Sequence, residues 1–250
     1  MRALILAAGY ATRLYPLTKN KAKPLLPIKG TPIISYIIKR IEPIKGLNKI
    51  YVVTNQKFYS DFCQWKDNYK FTKHIEIIND KTQEDETKLG AIGDIDFVIK
   101  NRNIEGDLLV VAGDNLFNFD LLDFTDKAMK KKPAVSLGIY DVKEEELAHL
   151  YGIVSLNNQN KIVDFQEKPV EPKSTLAAVG IYFMPREILN LVSKYLNESN
   201  TSDEPGYFIR WLCKNNEVYG VSLPGEWFDI GSIESYHRAN GVWREEEEID

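Results

Sequence analysis

The residues best placed to do chemistry stand near the start of the chain. There the apolar run Ala3-Leu4-Ile5-Leu6 opens into Ala7-Ala8-Gly9-Tyr10-Ala11-Thr12-Arg13, and cations follow at Lys19, Lys21 and Lys23. Small residues let backbone N–H groups come close to an anion, and fixed positive charge neutralises it, so the loop reads as a phosphate site. The net charge of the chain is −4, so these cations are a local feature and not part of a generally basic surface. A second acidic pattern, Asp94-Ile95-Asp96, has the form of a metal-binding Asp-x-Asp. It falls inside a helical pattern, however, and reads as exposed acid.

The elements that must hold this loop follow from periodicity. Apolar strands are expected at Arg2 to Ala7, Lys49 to Thr54, His74 to Ile78 and Asp107 to Ala112. Helical spacing between them predicts helices from Pro32 to Ile41, Gln56 to Asn68 and Thr87 to Lys100. This alternation is that of a parallel sheet covered by helices, and right-handed crossovers place Ala7 and Ala112 on the edge where such sheets bind ligands. Beyond residue 133 the pattern changes to short strands at Ala134 to Asp141, Gly152 to Leu156, Lys161 to Gln166 and Ala177 to Phe183. We expect a mixed extension closing over the ligand, then helices at Pro185 to Tyr195 and Tyr207 to Lys214, a strand at Val218 to Leu223, and a last helix from Ile233 capped by Ser232. Glu245 to Glu248 and Asp250 read as a solvated acidic tail.

Bulk composition narrows the partners. With 44% hydrophobic and 27% charged residues, the chain has the make-up of an ordinary globular protein. The acidic balance and the lack of a basic stripe interleaved with aromatics argue against nucleic acid, and no run is apolar enough for a membrane helix. Cys63 and Cys213 have no Cys or His at metal-ligand spacing and read as free thiols. A strand begins at once, leaving no room for a signal peptide, so a cytoplasmic location is expected.

The run from Leu6 to Leu26, including Gly9, Thr12-Arg13, Pro16-Leu17-Thr18 and Lys23-Pro24-Leu25, is similar to the signature of the sugar-1-phosphate nucleotidyltransferases. The similarity continues, in the family's order, at Gly113-Asp114, Phe165-Gln166-Glu167-Lys168-Pro169, Gly180-Ile181-Tyr182 and Trp227-Phe228-Asp229-Ile230-Gly231. The resemblance implies an α/β, Rossmann-like three-layer αβα fold with a mostly parallel central sheet and a smaller mixed β extension over the active site. It implies one domain over 1–250, in which 1–133 mainly binds nucleotide, 134–231 mainly binds sugar phosphate, and 232–250 forms a terminal helix and tail.

It also implies a reaction, the Mg²⁺-dependent transfer of a nucleotidyl group from a nucleoside triphosphate, dTTP or UTP favoured, to a sugar 1-phosphate, glucose 1-phosphate favoured. Arg13, Lys23 and Asp114 take the catalytic positions. Leu6, Ala8, Gly9 and Thr12 fall on the nucleotide side, with Glu167, Lys168, Gly180 and Tyr182 on the sugar-phosphate side, and Asp114 with Asp229 would hold the metal. A phosphate nucleophile is already ionised, so the task is electrostatic, which suits cations and a metal.

The chain departs from the pattern at Ala11, where the family commonly has glycine, and at Ala22, which replaces a proline. The segment that reads the base in many members is poorly matched by Asp80 to Gly90. A phosphocholine cytidylyltransferase using CTP is therefore a second reading. A glycosyltransferase, which needs Asp-x-Asp after a strand, and a catalytically inactive nucleotide-sugar sensor are more distant ones.

Overall fold

The computed structural model describes residues 1–199 and 201–244. The expected acidic tail, Glu245 to Asp250, lies outside the described residues. In the first half, β1 (Arg2–Leu6) leads through the small hairpin β2 (Pro27–Ile28) and β3 (Thr31–Pro32) to α1 (Ile33–Ile41). Next come β4 (Ile50–Thr54), α2 (Tyr59–Asn68), β5 (Ile75–Asn79), α3 (Gly90–Asn101), β6 (Leu108–Ala112), β7 (Asn115–Phe117) and α4 (Leu121–Met129). The second half holds β8 (Val135–Asp141), α5 (Glu145–Ala148), β9 (Gly152–Leu156), β10 (Ile162–Glu167) and β11 (Leu176–Met184). It closes with α6 (Asn190–Glu198), α7 (Pro205–Asn215), β12 (Val218–Ser222), β13 (Trp227–Asp229) and α8 (Ile233–Val242).

The main sheet runs β10-β9-β11-β6-β1-β4-β5, with β8 branching from β11 and pairing β12. The strands β6, β1, β4 and β5 are mutually parallel, and β11 joins β6 antiparallel. Both faces of the parallel part are buried, which explains why these strands read as nearly continuous apolar runs. Strand alternation sends Ala3 and Ile5 to a core with α1, α2, α4 and α8, and Leu4 to the opposite core with α3, α6 and α7. Each fully buried aliphatic side chain here is worth about 1.5–3 kcal/mol relative to exposure. The result is the expected three-layer architecture with a mixed β extension. No helix of the described residues is long and apolar enough to cross a membrane.

Several boundaries move for local reasons. Helix α2 starts at Tyr59 and not Gln56, because the Asn55 Oδ1 accepts the Phe58 N–H just ahead of it. Helix α3 starts at Gly90 and not Thr87, since Asp85–Thr87 closes a separate 3-10 turn. Pro185 opens a 3-10 turn at Arg186–Ile188, and α6 follows from Asn190. Ser232 does cap α8, in a reciprocal box with Ser235. Two further elements are β7 and α4, the latter capped by Asp120, whose carboxylate accepts the Leu122 N–H at 2.7 Å.

Candidate active site

The carboxyl edge of the parallel strands carries the site. Strand β1 ends at Leu6, whose carbonyl accepts the Gly113 N–H at 2.9 Å, so the loop after β1 and the turn after β6 are joined. Gly113 is required there, because a Cβ would lie 2.6 Å from the Leu6 carbonyl oxygen. Ala8 is buried, its carbonyl accepting from Asn55 Nδ2, while Gly9, Thr12 and Arg13 face solvent. Ala11 is left-handed, at φ 49° and ψ 44°, the conformation that makes glycine the natural residue here.

The cations separate. Lys19 and Lys21 are exposed, whereas Lys23 turns inward and its Nζ lies 2.7 Å from Asp114 Oδ2. The expected single cluster of four cations is therefore corrected. Ala22, replacing proline, is fully buried in an extended conformation at φ −60°, a geometry that proline also adopts.

Asp229 reaches Asp114 through a two-stranded ribbon, in which β13 pairs β7 with Asp229 opposite Asn115, and the Ile230 N–H donates to the Asp114 carbonyl at 3.3 Å. Asp229 is half-buried, and burial, then the Asp114 charge, pushes its carboxyl up to about 6. Lys23, Arg13 and Lys168 act on it in the opposite sense, so all three cations lie within electrostatic reach of it. Two carboxylates that repel each other beside an opening for phosphate form a fitting donor set for a divalent ion, which would relieve the repulsion. No cluster of three or more metal-ligating side chains occurs among the described residues, so the remaining ligands would come from substrate and water.

Next to the aspartates lies a cavity of about 180 Å³ whose walls include Asp114, Tyr151, Glu167, Gly180, Tyr182 and Trp227. Gly180 has φ +69° at an irregularity in the β11 ladder, and a Cβ there would lie 2.9 Å from the Ala112 Cβ. Asn115 ties the walls together, its Nδ2 donating to the Val179 carbonyl at 2.9 Å and its Oδ1 accepting from Trp227 Nε1 at 2.8 Å. Burial raises the Tyr182 hydroxyl well above its usual range and takes Tyr151 to about 12, so both are neutral phenols. Glu167 is pushed up by burial, with Lys168 Nζ 3.7 Å from its Oε1.

Asp94 corrects another expectation. It is 5% exposed on α3, hydrogen-bonded to Asp80, and burial followed by the Asp80 charge lifts it to about 8. Asp80 accepts the Thr82 N–H at 2.7 Å, and the Thr82 hydroxyl lies 3.4 Å from the Tyr10 hydroxyl. The acid is buried because α3 turns this side toward the loop after β5, and not toward water.

Comparison with known proteins places this geometry. The model of the nucleotidyl transferase family matches residues 2–246. The chain belongs to that family. Among relatives of nucleotidyl transferases, it is 34% identical over 236 residues to the bifunctional protein GlmU of Methanococcus aeolicus, covering 92% of this chain and 51% of that protein. It is 28% identical over 247 residues to a UTP–glucose-1-phosphate uridylyltransferase of Synechocystis, covering 96% of this chain and 62% of that one. The chain thus spans about half the length of the GlmU relatives it matches. Its fold is shared with a putative glucose-1-phosphate thymidylyltransferase of Bacillus anthracis, at TM-score 0.80 and 24% identity over 97% of this chain and 94% of that one. A UDP-glucose pyrophosphorylase complexed with UDP-glucose gives TM-score 0.79 and 22% identity over 96% and 97% of the two chains.

Within this member of the nucleotidyl transferase family, Tyr151, Trp227 and Asn115 line or brace the cavity without having been expected there. Trp227 was legible, since it lies two residues from Asp229 in a strand and so shares its face. Tyr151 precedes a strand with no distinguishing pattern.

Proposed function

We propose that this protein transfers a nucleotidyl group from a nucleoside triphosphate to a sugar 1-phosphate, with pyrophosphate as the second product. The observation that carries this reading is the single site shared by Lys23, Asp114 and Asp229, under the influence of Arg13 and Lys168, at the rim of the cavity. A phosphate oxygen of the acceptor attacks the α-phosphorus, a bond forms between them, and the bond from the α-phosphorus to the bridging oxygen breaks. No base is needed, because the attacking oxygen is already ionised.

The loop from Leu6 to Thr12 receives the triphosphate, and Arg13 holds its oxygens with a planar guanidinium. Lys23 leaves Asp114 for phosphate as a point charge, while Lys168 holds the acceptor phosphate and Glu167 accepts from its hydroxyls. Asp114 and Asp229 would hold Mg²⁺, which would neutralise charge on the phosphates as the leaving group departs. Gly180 keeps the cavity open and Tyr182 forms its wall. The glucose and dTTP or UTP preference, the division of labour between 1–133 and 134–231, and a cytoplasmic location are further parts of this reading.

One observation favours a second acceptor. Tyr151, Phe165, Tyr182 and Trp227 line the cavity beside carboxylates, and aromatic faces with acids also suit a quaternary ammonium such as that of phosphocholine, with CTP as donor. The test is a panel of purified protein with Mg²⁺, each nucleoside triphosphate, and glucose 1-phosphate, other sugar phosphates or phosphocholine, read by pyrophosphate release. Turnover with a sugar 1-phosphate supports the proposal. Turnover with phosphocholine alone replaces it by the second reading, and release with no acceptor at all overturns both.

A further inference from the structure

We propose that Gly206, in the first turn of α7, is a positioning residue for the acceptor, because its missing side chain leaves the slot that aims the Glu167 carboxylate into the cavity. The proposal rests on the acceptor reading above and concerns how that site is built. Glu167 ends β10, and its side chain is 17% exposed. On one side it faces Gly152 of β9, its direct partner in the antiparallel register, where a Cβ would lie 3.2 Å from Glu167 Oε2. On the other side stands Gly206, where a Cβ would overlap Glu167 Oε2 outright and lie 2.7 Å from its Cδ. Both glycines and Glu167 line the cavity.

The tightest contact a side chain at 206 would make is with Glu167, and the ring of buried Phe165 stands next, 3.1 Å from a Cβ. Gly206 is buried in the first turn of an 11-residue helix, and it is not among the positive-φ residues. Glycine is among the weakest helix formers, so its place in this turn gives α7 no local support. The atoms a side chain would meet belong to Glu167 and Phe165, and the first contact is the far end of the flexible Glu167 side chain. A Cβ would therefore turn the carboxylate away, with a shift of a few tenths of an ångström in the Phe165 ring beside it.

The carboxylate is also kept free for a ligand. Among the described residues its one charged partner is Lys168, whose Nζ stands 3.7 Å from Oε1. Pro205 at the first helical position has no N–H to offer, and the Glu167 carboxylate lies against the first turn of α7, at Gly206. An acceptor O–H or N–H donor in the cavity therefore finds Glu167 Oε2 available, while Oε1 faces Lys168.

The experiment varies the acceptor at saturating nucleoside triphosphate and Mg²⁺, and follows pyrophosphate release. Gly206→Ala is expected to raise the acceptor KM about tenfold or more, to leave the triphosphate KM within about twofold, and not to lower the thermal midpoint. Glu167→Asp withdraws the carboxylate by one methylene, so in that background Gly206→Ala is expected to change the acceptor KM by less than about threefold. An unchanged acceptor KM in Gly206→Ala overturns the proposal. So do equal losses for both substrates, a lowered midpoint, or additive losses in the double variant. Wild-type protein that turns over no acceptor overturns the acceptor reading and this proposal together, whereas wild-type turnover with an indifferent Gly206→Ala overturns the proposal alone.

Discussion

At the head of the phosphate loop, Ala11 is held left-handed by two contacts on its carbonyl, the Leu14 N–H at 3.0 Å and the Thr18 hydroxyl at 2.7 Å. An L-residue pays about 1–2 kcal/mol for that conformation, and glycine does not. Set against glycine's larger unfolded-state entropy, Ala11→Gly is expected to raise stability by about 0.5–1 kcal/mol, or about 1–4 °C in Tm. A fall in Tm would show that the Ala11 methyl is needed for packing. Lys23→Ala removes a phosphate cation and also leaves Asp114 facing Asp229 unrelieved. We expect kcat/KM to fall about 10²–10³-fold, with far-UV circular dichroism unchanged, and a loss under tenfold would remove Lys23 from the catalytic set. At this scale residue type singled out Arg13, Lys23, Asp114 and Asp229, and the structure brings Lys23, Asp114 and Asp229 together. The sequence was silent where a residue acts by position alone, as Tyr151 and Gly206 do.

The elements were legible to the extent that periodicity determines them. The four parallel strands and α1, α2 and α3 emerge near their expected bounds because both faces of the sheet are buried and each helix has one apolar side. Helix α4 was not expected, although Asp120 caps it and Leu121, Phe124, Thr125 and Ala128 give it a buried face. Asp94 was misread because it lies beside the Ile92, Ile95 and Val98 stripe of α3, and a periodicity argument assigns an acid there to water. The structure instead buries it against Asp80, with Asp94 Oδ1 left without a hydrogen-bond partner. Asp80 receives the Thr82 N–H and hydroxyl, which stabilise its charge, so the pair's proton resides on Asp94.

The unfolded chain loses that proton near pH 4, while the folded protein keeps it until about pH 8. Between those values the native state binds more protons than the unfolded state, so this group makes stability fall as pH rises. Asp94→Asn keeps a hydrogen-bond donor toward Asp80 and removes the titration. From pH 5 to 8, urea denaturation is expected to show the variant gaining on the wild type by up to about 1.4 kcal/mol per pH unit. Parallel pH profiles for the two proteins would place the Asp94 proton elsewhere.

Across the whole molecule, the site joins segments remote in sequence, because the β7–β13 ribbon brings Asp229 to Asp114 and Lys168 approaches from the β10 end. A net charge of −4 would give the two polyanionic substrates proposed above no general attraction, so on that reading their affinity comes from this local convergence of cations and a bound metal. Ligand that binds only the folded arrangement stabilises it by RT ln(1 + [L]/Kd), about 2.7 kcal/mol at 100 times Kd, or about 5–11 °C in Tm for a chain of this size. We expect nucleoside triphosphate with Mg²⁺ to raise Tm by several degrees, and chelation of the metal to remove most of the gain. In Asp229→Asn one ligand charge is lost while the loop after β1 is untouched, so the metal-dependent part should disappear and a smaller, metal-independent part, due to Arg13 and Lys23, should remain. If the substituted protein shows the full metal-dependent shift, the ion is not seated between Asp114 and Asp229. The ribbon would then serve only to close the cavity, and its two carboxylates would be left with a repulsion that no ligand relieves.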